Sequence, residues 1–168
     1  MGDSSQPPLV RITWRAVFTF LLVDTLLTAA VIAVFVKVAY GAPEPPSAEA
    51  VAVRAVLDAQ VTAWNRGDLD GFMAGYWKDE RLTFFSGDVI TRGWQKTYER
   101  YRKRYQADGK EMGRLEFREV QIESVGTEAA FARGRWQLTM KDGSTPNGLF
   151  TLLFRRIDGQ WRIVHDHT

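Results

Sequence analysis

The 168-residue chain has no cysteine and only two histidines. The first absence removes disulfides, thiolate metal sites, a cysteine nucleophile and a lipoprotein anchor, and leaves the redox compartment open. The second leaves a metal ion short of imidazole ligands, so a third ligand would have to be a carboxylate. Charge of one sign is scarce too. Lys and Arg number 22 against 20 Asp and Glu, and a net charge of +2 gives no general drive toward nucleic acid or anionic surfaces. Phosphate-binding glycine loops, nucleophile elbows and HExxH helices are also missing from the sequence. Apolar residues, at 45% with 12% aromatic, are in contrast ample for one packed core.

The longest apolar run is AVFTFLLVDTLLTAAVIAVFV, residues 16–36, with Asp24 as its single charge. As a helix it would span roughly 31 Å, close to a bilayer core. Arg11 and Arg15 precede it, which predicts a cytosolic N-terminal segment (1–15), a transmembrane anchor (16–38) and a domain outside the cytosol. Ala39-Tyr40-Gly41 offers small residues for a signal peptidase, so export after cleavage is the alternative. The prolines of APEPPSAEA make residues 39–47 a stiff spacer.

Residues 48–168 read as one domain. Ser47 is placed to cap a helix with Val53, Val56, Leu57, Val61 and Trp64 on one stripe, ended by Gly67. Asp68 caps a short second helix carrying Phe72, Met73, Tyr76 and Trp77. The period then changes to two: RLTFFS, a Gly87-Asp88 turn and VITR predict a hairpin. Trp94, Tyr98, Tyr101 and Tyr105 return to helical spacing, with Asp108-Gly109 as the stop. Long strands follow at 114–124, 128–140, 147–156 and 161–167. Alternation breaks at Glu119-Val120, which predicts a bulge, and Gly134 marks a bend or a space over a pocket. The fold class is therefore α+β: a cone-shaped, curved antiparallel sheet wrapped around three helices, preceded by one transmembrane helix.

This element order, with AWNRGDLDGFMAGYW near its start and GQWRIVHDHT at its end, resembles the nuclear transport factor 2-like superfamily, in particular its SnoaL-like and ketosteroid-isomerase-like bacterial domains. The resemblance implies a cofactor-independent fold that binds a small apolar molecule, with isomerase, dehydratase or cyclase-like acid–base chemistry. It also implies a homodimer through the outer sheet face. A non-catalytic dimerisation or assembly module of an envelope complex is the alternative, because one fold hosts many functions.

Both histidines, His165 and His167, lie on the last strand. On a regular strand they share a face with Trp161 and Ile163, and Asp166 points the other way. A two-residue Asp158-Gly159 turn would set His165 opposite Leu152, His167 opposite Phe150, and Asp166 opposite Thr151. With the Trp161 face inward, the two histidines become the candidate acid–base residues, beside Gln60, Trp64, Tyr76, Trp94, Tyr98 and Trp136 as ligand-binding residues. Burial would keep such a histidine neutral and basic. The competing reading is that both histidines simply hold the strand or a dimer interface. No carboxylate falls clearly on the inner face, so no metal site is expected, nor the Asp–Tyr set of ketosteroid isomerase. KTYERYRKRYQ divides into a tyrosine stripe and a charged stripe, an ordinary buried and solvated division that predicts no nucleic-acid partner.

Overall fold

A computed structural model of the chain describes Thr28, residues 45–107 and residues 110–168, with Pro46–Thr168 forming one compact unit. The expected segments 1–15 and 16–38, and the Asp108-Gly109 helix stop, lie outside the described residues. Among the described residues no helix is long and apolar enough to cross a membrane.

Three helices form where the caps and apolar spacing place them. Helix α1 (Ala48–Asn65) starts at Ser47, whose hydroxyl accepts from the Ala50 amide at 3.1 Å. Its buried stripe of Val53, Leu57, Gln60 and Trp64 follows the i, i+4, i+7, i+11 spacing of one helical face. Helix α2 (Leu69–Met73) is capped by Asp68, which accepts from the Gly71 amide at 2.7 Å. Helix α3 (Trp94–Tyr105) follows Gly93, whose φ of 89° is left-handed backbone that favours glycine. Asn65 ties the end of α1 to the sheet: its amide donates to the Leu115 carbonyl at 3.0 Å and accepts from the Leu115 amide at 2.7 Å.

Six strands make one sheet: β1 (Thr83–Ser86), β2 (Val89–Arg92), β3 (Arg114–Val125), β4 (Ala129–Thr139), β5 (Asn147–Ile157) and β6 (Gln160–His167), in the order β2-β1-β6-β5-β4-β3. The expected all-antiparallel sheet is corrected to a mixed one, because β1 pairs parallel to β6. Parallel neighbours need a long crossover, and here almost the whole domain lies between the two strands. The core sits between the helices and the inner sheet face, around Leu57, Met73, Leu82, Phe154 and Ile163, each at most 1% exposed.

Two bulges set which side chains face that core. The predicted one is present in β3, where the pairing steps from Arg118↔Arg135 to Gln121↔Arg133 and Glu119 takes a φ of 53°. Gly134 lies opposite it: a Cβ there would stand 2.9 Å from the Arg118 carbonyl oxygen and from the Phe150 ring. The second bulge, in β6, was not anticipated. Phe154 pairs with Ile163 as expected, but the next pair is Leu153↔His165, then Leu152↔Asp166 and Thr151↔His167. Val164 is the extra residue, and beyond it every side chain of β6 changes face. The shift falls where β6 changes its neighbour on the other edge. Ile163 bonds Gly75 and Trp77 after α2, with both N···O distances 2.9 Å, whereas His165 pairs with Thr83 of β1.

Candidate functional site

Because of the Val164 bulge, Asp166 and not the histidines enters the interior. Asp166 is 2% exposed and lines a cavity of about 110 Å³ between the helices and the inner sheet face. Its Oδ2 accepts from the Tyr76 hydroxyl at 2.6 Å, and its Oδ1 accepts from the Thr168 hydroxyl. The Tyr76 oxygen lies 3.4 Å from the Tyr101 hydroxyl. With Tyr76 donating to Asp166, Tyr101 is the donor of that second bond, so the two phenols form a proton-donating row that ends on the carboxylate. Aromatic rings wall the row: Phe84 and Phe72 lie 5.6 and 5.3 Å from Tyr101, centroid to centroid.

The electrostatics follow from that box. Burial raises Asp166 from 3.8 to about 6, against the hydrogen bonds from Thr168 and Tyr76, which favour the ionised form. Tyr76 and Tyr101 are both pushed well above 10, first by burial and then by the Asp166 charge. At neutral pH the site thus holds a carboxylate of unusually high basicity beside two phenols that keep their protons. The Trp136 indole N–H stands apart from that row. It is buried without an acceptor, on a side chain that lines the same cavity. It lies over Gly148, where a Cβ would come within 2.8 Å of the indole nitrogen. A buried donor left unpaired is costly.

Of the residues expected at the site, Gln60, Trp64, Tyr76 and Trp136 line the cavity. Gln60 is structurally engaged, donating to the Phe72 carbonyl at 3.1 Å, and the Trp64 indole donates to the Met112 carbonyl at 3.0 Å. Trp94 and Tyr98 do not line it. They stack on each other at 5.2 Å, with Lys78 over Trp94, because they occupy the first turns of α3; of that helix's aromatic stripe, Tyr101 and Tyr105, further along, reach the cavity. The expectation that His165 and His167 face the cavity is likewise corrected. His165 shares a 2.6 Å hydrogen bond with the Thr83 hydroxyl and meets the Phe85 ring edge-on at 4.8 Å; His167 lies 6.1 Å from the same ring. Burial does lower the His165 pKa, as expected, but outside the cavity. Asp166, Tyr101 and Thr168 were missed. The adjacent apolar pair Ile163-Val164, a break in alternation like the one at Glu119-Val120, was the cue in the sequence.

The SnoaL-like domain family matches residues 53–168. The chain belongs to that family. An NTF-2 like protein of unknown function from Shewanella oneidensis MR-1 is 41% identical to this SnoaL-like chain, over 68% of it and 93% of the other, with a TM-score of 0.63. An NTF2-like protein of unknown function from Pseudomonas putida KT2440 matches at 19% identity over 73% and 86%, with a TM-score of 0.61. A nuclear transport factor 2 (NTF2-like) superfamily protein from Salmonella enterica matches at 20% identity over 71% and 91%, at 0.57. The last two show a shared fold. No curated protein matches the chain.

The raised Asp166 has a sign that can be tested. A carboxyl whose folded pKa lies above its unfolded value binds more protons in the native state, so this group lowers stability as pH rises from 3.8 through about 6. The rise corresponds to a few kcal/mol, on the order of 3, by neutral pH. Asp166→Asn is therefore expected to unfold at higher denaturant concentration than wild type at pH 7 and to match it near pH 4. Urea titrations across that range give the comparison. A variant destabilised at both pH values would contradict the assignment.

Proposed function

We propose that this SnoaL-like domain binds a small, largely apolar carbonyl compound and catalyses proton transfer at the carbon next to the carbonyl. The observation that supports it is the buried Asp166 carboxylate, 2.6 Å from the Tyr76 hydroxyl at the wall of the cavity. In this reading Asp166 takes a proton from the acidic carbon and the bonding pair moves into the carbonyl, giving an enolate. The enolate oxygen accepts a hydrogen bond from a neutral donor, for which the Tyr101 hydroxyl is placed once it turns from its long 3.4 Å bond to Tyr76. Asp166 then returns the proton to the same carbon or to a conjugated one, which completes an isomerisation; formation of the enolate is the step shared with dehydratase and cyclase-like reactions. Tyr76 is a positioning residue: its bond holds the carboxylate and offsets part of the burial cost. A cavity of about 110 Å³ suits a single ring or a short chain.

Washout of deuterium from α-deuterated cyclic ketones and enones, followed by NMR, tests the chemistry. Wild type is expected to accelerate exchange, with a rate that rises through about pH 6 and then levels as Asp166 ionises. Asp166→Asn should lose roughly 10²–10⁴-fold. His165→Ala and His167→Ala should retain the activity; loss in either, with Asp166→Asn active, would return the chemistry to the histidines.

The outer sheet face supports a second property, association of two copies. Leu149 is 66% exposed and Leu153 is 37% exposed on the outer face of β5, where Leu153 pairs with Phe131 of β4 and with His165 of β6. Burying such a face between two-fold related copies removes apolar area from water. In this reading His165 and His167 are interface residues. Sedimentation should show a dimer for the wild type and a monomer for the Leu149→Lys, Leu153→Lys double variant; a wild-type monomer would end the idea.

The apolar run 16–36 supports placing the domain outside the cytosol on a single membrane span, or exported after cleavage. The full chain is expected to stay with membranes after carbonate washing. Recovery of a soluble product starting near residue 42 would replace the anchor with a signal segment.

A further inference from the structure

The cavity has two ends of opposite charge. Asp166 lies deep, 2% exposed, against Tyr76. Arg100 and Arg104, one turn apart on α3, line the same cavity where its wall meets solvent, Arg100 half-buried and Arg104 exposed. Arg100 lies over the Phe84 ring at 5.4 Å and Arg104 over Tyr105 at 5.5 Å, so each guanidinium is supported by an aromatic side chain that also lines the cavity. Seven cations of the described residues are matched by a carboxylate within 4 Å; neither Arg100 nor Arg104 has such a partner among the described residues. The solvated charged stripe expected of α3 therefore includes two arginines that reach the site.

We infer that the molecule bound in this cavity carries a carboxylate, held at the mouth by Arg100 and Arg104 while its apolar body extends inward to Asp166. The inference rests on the proposed reading of the cavity as a ligand site and adds the class of ligand. A carboxylate is repelled by ionised Asp166 and drawn to the guanidiniums, so the two ends of the site orient the molecule with its reacting carbon inward. The planar forks of arginine match a carboxylate. A phosphate fits less well. The arginines stand in the second half of α3, toward the negative end of its dipole, with no glycine loop or helix start to cradle a dianion. Field effects agree, since Arg100 and Asp166 act on the Tyr101 hydroxyl in opposite senses.

The test is binding of phenylacetate and of its neutral isostere phenylacetamide to the full chain, read by the shift of the Trp136 indole N–H resonance. Wild type is expected to prefer phenylacetate by about tenfold. In Arg100→Gln, Arg104→Gln the preference should disappear while the amide binds as before. Equal binding of both probes to wild type, or a preference that survives in the double variant, would overturn the carboxylate and leave the cavity reading standing. Tighter binding of phenyl phosphate would also overturn it. If neither phenyl probe moves the resonance at millimolar concentration, the ligand-site reading falls and this inference with it.

Discussion

One extra residue in the last strand, Val164, governs what the interior of this protein can do. A strand alternates its side chains with a period of two, so a single insertion exchanges the two faces for every residue beyond it. Without it, Asp166 would face outward opposite Thr151 and the cavity would hold two imidazoles. With it, the cavity holds one carboxylate, and the imidazoles lie against Phe85 and Thr83 on the other face. The shift coincides with a change of neighbour. Strand β6 leaves the backbone of Gly75–Trp77 and joins β1, and a strand that must satisfy two different edges gains from a local adjustment of register.

The carboxylate so placed is costly and only partly compensated. Two hydroxyls bond it and, among the described residues, no cation does, so its charge is tolerated by hydrogen bonding in an aromatic box and its basicity rises. A salt bridge would have made Asp166 more stable and a weaker base. The same box keeps Tyr76 and Tyr101 protonated, because a phenolate beside a buried carboxylate is doubly disfavoured. Base and donors are thus separated by chemistry and held by one hydrogen-bonded row. The two arginines at the edge continue that division of charge along the cavity.

What the chain's sequence determined by itself is the framework. Caps at Ser47 and Asp68, the stripe from Val53 to Trp64, the Asp158-Gly159 turn and the break at Glu119-Val120 are local signals, and local physics was sufficient to place three helices, six strands and one bulge. Four of the expected lining residues, Gln60, Trp64, Tyr76 and Trp136, were also legible, because large side chains on inward stripes of several elements must converge. The parallel pairing of β1 with β6, the second bulge and the reach of α3 were decided only by tertiary structure. Each depends on a backbone partner distant in the chain: Gly75 and Trp77 for Ile163, Thr83 for His165, and the α2 end for Trp94, whose indole donates to the Met73 carbonyl at 3.2 Å. Periodicity says which residues share a face of a regular strand. It does not say where packing will interrupt that strand, and here the interruption selects Asp166 over its neighbours His165 and His167.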